Sequence, residues 1–239
     1  MLKLIYAGAV YNFMRRHEPI RPKYEKEPSG SGMEATIRKV AGHQLVHKVF
    51  HPGWIERHYP MKGRLRWITQ LYRSIATVNA KEVDLTHHKR FGAKSFPHND
   101  WEKMTFILAN HSVEVLKAAR ALGIPTPRSF KAVCVKGEGK GYFWVVEMTD
   151  LKKPRTQIIP GDRFKEVNFN SMFGNYQKLL HAMDNYESRL AAKNIVYNND
   201  QHKPGGAWIV QIDEKTGFGK LFLVDATNFF IKPDPKDKN

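Results

Sequence analysis

Residues 179–230 read LLHAMDNYESRLAAKNIVYNNDQHKPGGAWIVQIDEKTGFGKLFLVDATNFF. Leu179, Leu180, Met183, Tyr186 and Leu190 recur at helical spacing, which predicts a helix with one apolar stripe against a core. A polar loop, Tyr197 to Gly206, follows and carries Asp200, His202, Lys203 and Pro204. Two β-rich runs come next, Trp208–Ile212 and Lys220–Val224, joined by a turn with Gly217 and Gly219. The second run delivers Asp225. A helix, a polar loop with a carboxylate, a hairpin and a second carboxylate form the order around which the remaining chain is read.

Upstream, PSGSGMEATIRKVAGHQLVHKVF (Pro28 to Phe50) contains Gly30, Ser31 and Gly32, able to turn tightly. Two β-prone runs follow, Thr36–Val40 and Leu45–Val49, about a turn at Ala41-Gly42. Lys48 lies in the second run, flanked by apolar residues. Asn99 and Glu102 form a capping pair that opens a helix from Asp100 to about Leu122, which Gly123, Pro125 and Pro127 end. Phe130–Val135 and Tyr142–Met148 read as a hairpin across Gly137–Gly141. Residues 151–170 read as a loop. The N-terminal part, residues 1–28, is an extension whose Arg15, Arg16, Arg21, Pro22 and Lys23 read as a linker.

The chain has 239 residues, enough for one large domain or two small lobes with a real core. Its net charge is +16, of which residues 1–100 carry +10. Such a surface favours an anionic partner, a nucleotide, nucleic acid, anionic lipid or acidic protein, and equally serves solubility. The single cysteine, Cys134, excludes an intramolecular disulfide and reads as an inert core residue in a reducing, cytoplasmic compartment. No run approaches the ~20 apolar residues of a membrane span. Leu4–Val10 is a weak interfacial anchor that would make the protein peripheral to a membrane, and reads first as an element docked on the body. The eleven histidines offer no third ligand at metal-binding spacing and read as surface residues.

In order, these segments resemble the protein-kinase-like superfamily in its small bacterial branch. GIPTPR after the first helix resembles lipopolysaccharide core kinases, and the KNIV, KP, IVQ and KLFLVD series resembles the YrbL family. The resemblance covers about Ser29 to Phe230 and is interrupted by the basic, aromatic stretch 51–97. It implies an α+β, two-lobed kinase-like fold with a truncated C-lobe: an N-lobe at 29–148 and a minimal C-lobe at 149–239. It implies an ATP- and Mg²⁺-dependent phosphotransferase acting on a protein Ser/Thr hydroxyl or a surface glycolipid sugar. Gly30, Ser31 and Gly32 would lie over the phosphates, and Lys48 would contact them. Glu114, or else Glu102, would orient Lys48. The strand Tyr142–Met148 would be an edge strand leading into a hinge, whose backbone around Glu147 and Met148 would hold adenine. Asp225 would bind Mg²⁺. The base falls at Asn199 counting forward or Gln201 counting back. Asp200 between them is chosen because a carboxylate accepts the nucleophile's proton.

Three departures stand against that pattern. The catalytic loop has no clean register, Gly205 and Gly206 lie where a metal-binding Asn is expected, and the Asp-Phe-Gly triplet reads Asp225-Ala226-Thr227. The last two argue for a second reading, a degenerate pseudokinase kept as a binding module, while intact Lys48, Asp200 and Asp225 argue for catalysis, the first reading. A third, from another class, is a nucleic-acid-binding protein using the basic residues of 51–97. The partner would be an acidic protein or phosphorylated glycan in the first case, nucleic acid in the third.

Overall fold

The structure, a computed structural model, describes residues 19–26, 28, 30–31, 35–50, 98–136, 142–161, 174–197, 204–227 and 229–231. The elements are β1 (Gly30–Ser31), β2 (Ala35–Lys39), β3 (Leu45–Phe50), α1 (His98–Ala121), β4 (Phe130–Lys136), β5 (Tyr142–Thr149) and β6 (Thr156–Pro160). Then follow α2 (Tyr176–Ala191), β7 (Ile195–Tyr197), a 3₁₀ turn (Pro204–Ala207), β8 (Trp208–Asp213), β9 (Gly219–Leu223) and β10 (Phe229–Ile231). The described chain is thus mixed α and β, its strands paired antiparallel within each ladder of known register. It divides into two compact units: residues 1–111 with 130–148, and residues 112–129 with 149–239.

The first unit is built on a five-stranded sheet in the order β1-β2-β3-β5-β4. Its β2–β3 and β4–β5 hairpins form where the sequence predicts them, the first turning at Gly42 with φ 77°. β5 lies between β3 and β4 rather than at the edge, correcting what the resemblance implied. The reason is a long-range pairing: β3 returns beside β5, leaving β4 outermost. Cys134 on β4 is consequently half-buried, not a core residue. The linker reading of residues 19–26 also fails. Ile20 N–H donates to Cys134 O at 3.2 Å and Ile20 O accepts from Lys136 N–H at 3.0 Å. Farther on, Glu25 N–H meets Lys39 O at 3.1 Å and Ala41 N–H meets Lys23 O at 2.8 Å. Polar, Pro-containing sequence here satisfies its backbone on the sheet.

Helix α1 begins at His98, two residues before the expected start, so Asn99 lies inside its first turn. Its end is as read: Gly123 takes φ 70°, with Gly123 N–H on Arg120 O (2.9 Å) and Ile124 N–H on Ala119 O (3.0 Å). Only glycine adopts that left-handed conformation without strain, and buried Ile124 supplies the apolar contact of such a helix stop.

In the second unit α2 buries Tyr176, Leu179, Met183 and Leu190, four positions of one stripe. Asn175 precedes it without capping it: its amide donates to Gly219 O and accepts from Gly219 N–H, both at 2.9 Å, clamping the helix start to β9. The β8–β9 hairpin turns at Gly217 (φ 67°), with Asp213 Oδ1 accepting Lys215 and Thr216 N–H at 2.9 Å each. The stretch read as loop contains β6, which pairs with β8 and makes the hairpin three-stranded. Pro160 ends this edge strand, where a missing donor costs little. A Cβ on Gly219 would come 2.6 Å from Leu179 Cδ1 and 3.0 Å from Val210 Cγ1. Gly219→Ala should therefore cost about 1–3 kcal/mol through overpacking. Urea unfolding checks this, and a loss below about 0.5 kcal/mol would show that Leu179 yields freely.

Candidate active site

Lys48 sits in the first unit on β3. His47 and Glu147 touch across the sheet, so they share one face, and strand alternation puts Lys48 on the other with Val46 and Phe50. That face also carries Trp144, Val146 and Met148 of β5, by the same alternation. It is the face that bears α1: the Phe106 and Trp144 rings meet edge to face at 4.9 Å, and Thr105 Oγ1 accepts Trp144 N–H at 2.9 Å. Lys48 is 4 % exposed and its Nζ lies 5.3 Å from the Phe50 ring centre. Burying an ammonium costs several kcal/mol before compensation, at a position that packing alone would fill with an aliphatic residue.

Gly30 and Ser31 are strand residues, opposite Ile37 and Thr36; Gly32 lies outside the described residues. Met148 is buried on the Lys48 face. The Glu147 side chain points to the opposite face and is committed there, Oε2 to His47 Nε2 (3.0 Å) and Oε1 to Lys131 Nζ (3.1 Å).

That opposite face holds a polar relay that no local pattern in the sequence announces. Tyr24 O–H lies 2.9 Å from His47 Nδ1, and the Arg38 guanidinium stacks 4.9 Å over the Tyr24 ring. Burial foremost pushes the Tyr24 hydroxyl up to about 12, with Arg38 opposing and Glu147 adding, so Tyr24 donates. His47 is fully buried, correcting its assignment to the surface, and so is His111. Burial lowers the His47 pKa against the opposing pull of the Glu147 hydrogen bond, which favours the neutral ring with its Nε2–H donating a hydrogen bond to Glu147. Burial alone would raise the Glu147 pKa, but its bonds to His47 and Lys131 outweigh that and lower it.

Both depressed values act in one direction. The stability they carry is present above the unfolded pKa values and is lost as pH falls through the folded ones, His47 first, below about 6.5. The unfolding temperature should fall between pH 7.5 and 5, and His47→Gln, which keeps a donor for Glu147, should flatten that slope. Parallel slopes in both proteins would exclude His47 as the source.

The second unit holds Asp225 and the ends of the polar loop. Asp225 follows β9, with Val224 N–H and Asp225 N–H both on Ala207 O at 3.0 and 3.1 Å. Leu223 N–H donates to Pro125 O at 2.9 Å. Ala207 closes the 3₁₀ turn that ends the polar loop. The strand leading into the loop, β7, pairs with β10 just after Asp225, Tyr197 opposite Phe229 with rings 5.1 Å apart. Asp200 itself lies outside the described residues, as do Asn199, Gln201 and His202. Both ends of its loop are nevertheless anchored on the chain flanking Asp225. Neither the β7–β10 pair nor this anchoring is readable from sequence, since three-residue strands show no periodicity.

Asp225 is half-buried, and its Oδ1 accepts Thr227 N–H at 3.1 Å. Glu114 is on the part of α1 assigned to this unit, its Oε1 2.7 Å from Lys117 Nζ. Among the described residues no three His, Cys, Asp or Glu are grouped to hold a metal. Asp225 is a single carboxylate, a donor set that fits Mg²⁺, which keeps several waters and takes its other ligands from nucleotide phosphates. Residues 51–97, the basic stretch, lie outside the described residues, and among those described no helix is long and apolar enough to cross a membrane.

No protein-family model matches the chain, and no curated protein does. Among solved structures it is similar to a Helicobacter pylori proinflammatory kinase, CtkA, at 11 % identity and a TM-score of 0.43. The similarity covers 89 % of this chain and 61 % of that one.

Proposed function

We propose that this chain is a kinase-like phosphotransferase that uses Mg²⁺-ATP to phosphorylate a hydroxyl, on a protein Ser/Thr or a surface glycolipid sugar. The observation that carries the reading is Lys48, an ammonium buried on the helix-bearing face of β3, with Gly30 on β1 two strands away in the same sheet. Such a lysine suits anionic phosphates, and Gly30, Ser31 and Gly32 allow backbone amides near them. Adenine would lie at the backbone of Glu147 and Met148. When bound, Mg²⁺ neutralises phosphate charge, and Asp225 is the carboxylate that would hold it. Asp200 would accept the acceptor hydroxyl's proton as that oxygen bonds to phosphorus and ADP leaves.

Full chain incubated with γ-labelled ATP and Mg²⁺ should label a hydroxyl acceptor among acidic proteins and phosphorylated glycans, the classes its +16 charge attracts. EDTA and Asp225→Asn should each abolish transfer. Nucleotide binding without transfer across the panel would favour the second reading, a catalytically silent binding module. One feature supports that reading: the two residues after Asp225, Ala226 and Thr227, are both 1 % exposed and so replace a hinge with a docked segment.

A further inference from the structure

The docked segment carries a hydrogen bond that neither packing nor the sequence pattern requires. Thr227 Oγ1 lies 3.2 Å from Ser112 Oγ on α1, 115 residues away in sequence, both side chains nearly fully buried at 1 % and 2 %. Around them on the helix, Val113, Val115, Leu116 and Ala119 are buried hydrocarbon. Valine and alanine would fill the two positions with similar volume and no polar group to desolvate. A buried hydroxyl pair is directional where such a pair would not be, and it fixes where Thr227 sits against the helix.

Thr227 is also the residue whose N–H holds Asp225 Oδ1 at 3.1 Å. The carboxylate is therefore tied to the Thr227 backbone and, through the Thr227 hydroxyl, to α1. We infer that Thr227, with Ser112, is a positioning residue for the Asp225 carboxylate, setting the orientation in which it accepts a divalent cation on a nucleotide. The inference rests on the proposed function. It turns the missing glycine of the Asp-Ala-Thr triplet into a device: flexibility beside the metal ligand is exchanged for a fixed link to a helix. Outer groups that orient a metal ligand in this way commonly account for about ten- to a hundredfold in metal affinity.

The test is a Mg²⁺ titration at fixed ATP, followed by the rise in unfolding temperature over the ligand-free protein, for wild type, Thr227→Val, Thr227→Ser, Ser112→Ala and Asp225→Asn. Thr227→Val should need about ten- to a hundredfold more Mg²⁺ for half of the metal-dependent rise, with the metal-free ATP increment unchanged. Thr227→Ser should restore the wild-type midpoint, and Ser112→Ala, which leaves Thr227 in place, should reproduce the weakening. Asp225→Asn should remove the metal-dependent part. Because each increment is taken within one variant, a general loss of stability does not imitate the result. Wild-type midpoints in both Thr227→Val and Ser112→Ala would overturn the inference and leave the proposed function standing. A wild type with no response to ATP at any Mg²⁺ concentration would overturn both.

Discussion

Lys48→Met should lower phosphoryl transfer by about 10²–10³-fold, the scale of removing one preorganised charged group from a transition state. Methionine keeps the approximate length and apolar character of the lysine stem and deletes only the ammonium. The informative control is Lys131→Met. Lys131 is on the other face of the same sheet, 68 % exposed, and pairs with Glu147 in the relay with His47 and Tyr24. It should leave transfer within about twofold, since an exposed pair contributes little and lies away from the α1 face. If both variants lose transfer alike, the loss reports sheet stability rather than phosphate contact, and the role given to Lys48 fails.

The largest effect on folding should come from Trp208→Ala. Trp208 is fully buried at the start of β8, opposite Leu223 of β9, and its ring stacks on Tyr186 of α2 at 6.0 Å and 24°. Its indole N–H donates to Glu187 at 3.1 Å. One side chain thus joins α2, the hairpin and the end of the turn whose Ala207 carbonyl holds Asp225. Truncating a buried Trp costs about 3–5 kcal/mol by lost transfer energy and the cavity left behind. Trp208→Phe keeps most of the apolar area and loses the bond to Glu187, at a cost nearer ~1–2 kcal/mol. Urea unfolding followed by circular dichroism separates them. A Trp208→Ala loss below about 1 kcal/mol would mean that the cavity collapses and that Trp208 does not organise the unit.

What is legible in the sequence is whatever repeats along a single element. The Leu179, Met183, Leu190 stripe announces α2, Gly123 followed by prolines announces the end of α1, and runs flanking glycine turns announce the β2–β3, β4–β5 and β8–β9 hairpins. Asp225 at the end of the last run is legible for the same reason. Illegible are pairings between distant short segments: β6 on β8, β7 on β10, and Ile20 on Val135. Each spends few residues, and its partner is fixed by tertiary packing rather than by local pattern. The relay is hidden because Tyr24, His47 and Glu147 lie in different segments, and a histidine in a strand shows its burial only when its neighbours arrive. Ser112 and Thr227 are hidden likewise, as ordinary helix and loop residues until a 115-residue separation closes.

The most direct test of the proposed nucleotide site is thermal unfolding of wild type, Lys48→Met and Asp225→Asn with ATP, in Mg²⁺ and in EDTA. A ligand that binds only the folded protein stabilises it by about 2.7 kcal/mol at a hundredfold excess over Kd. The account predicts a clear rise for wild type in Mg²⁺-ATP, a rise largely lost in Lys48→Met, and one that no longer depends on metal in Asp225→Asn. Wild type unfolding at the same temperature with and without Mg²⁺-ATP, at nucleotide concentrations well above the millimolar range, would contradict it.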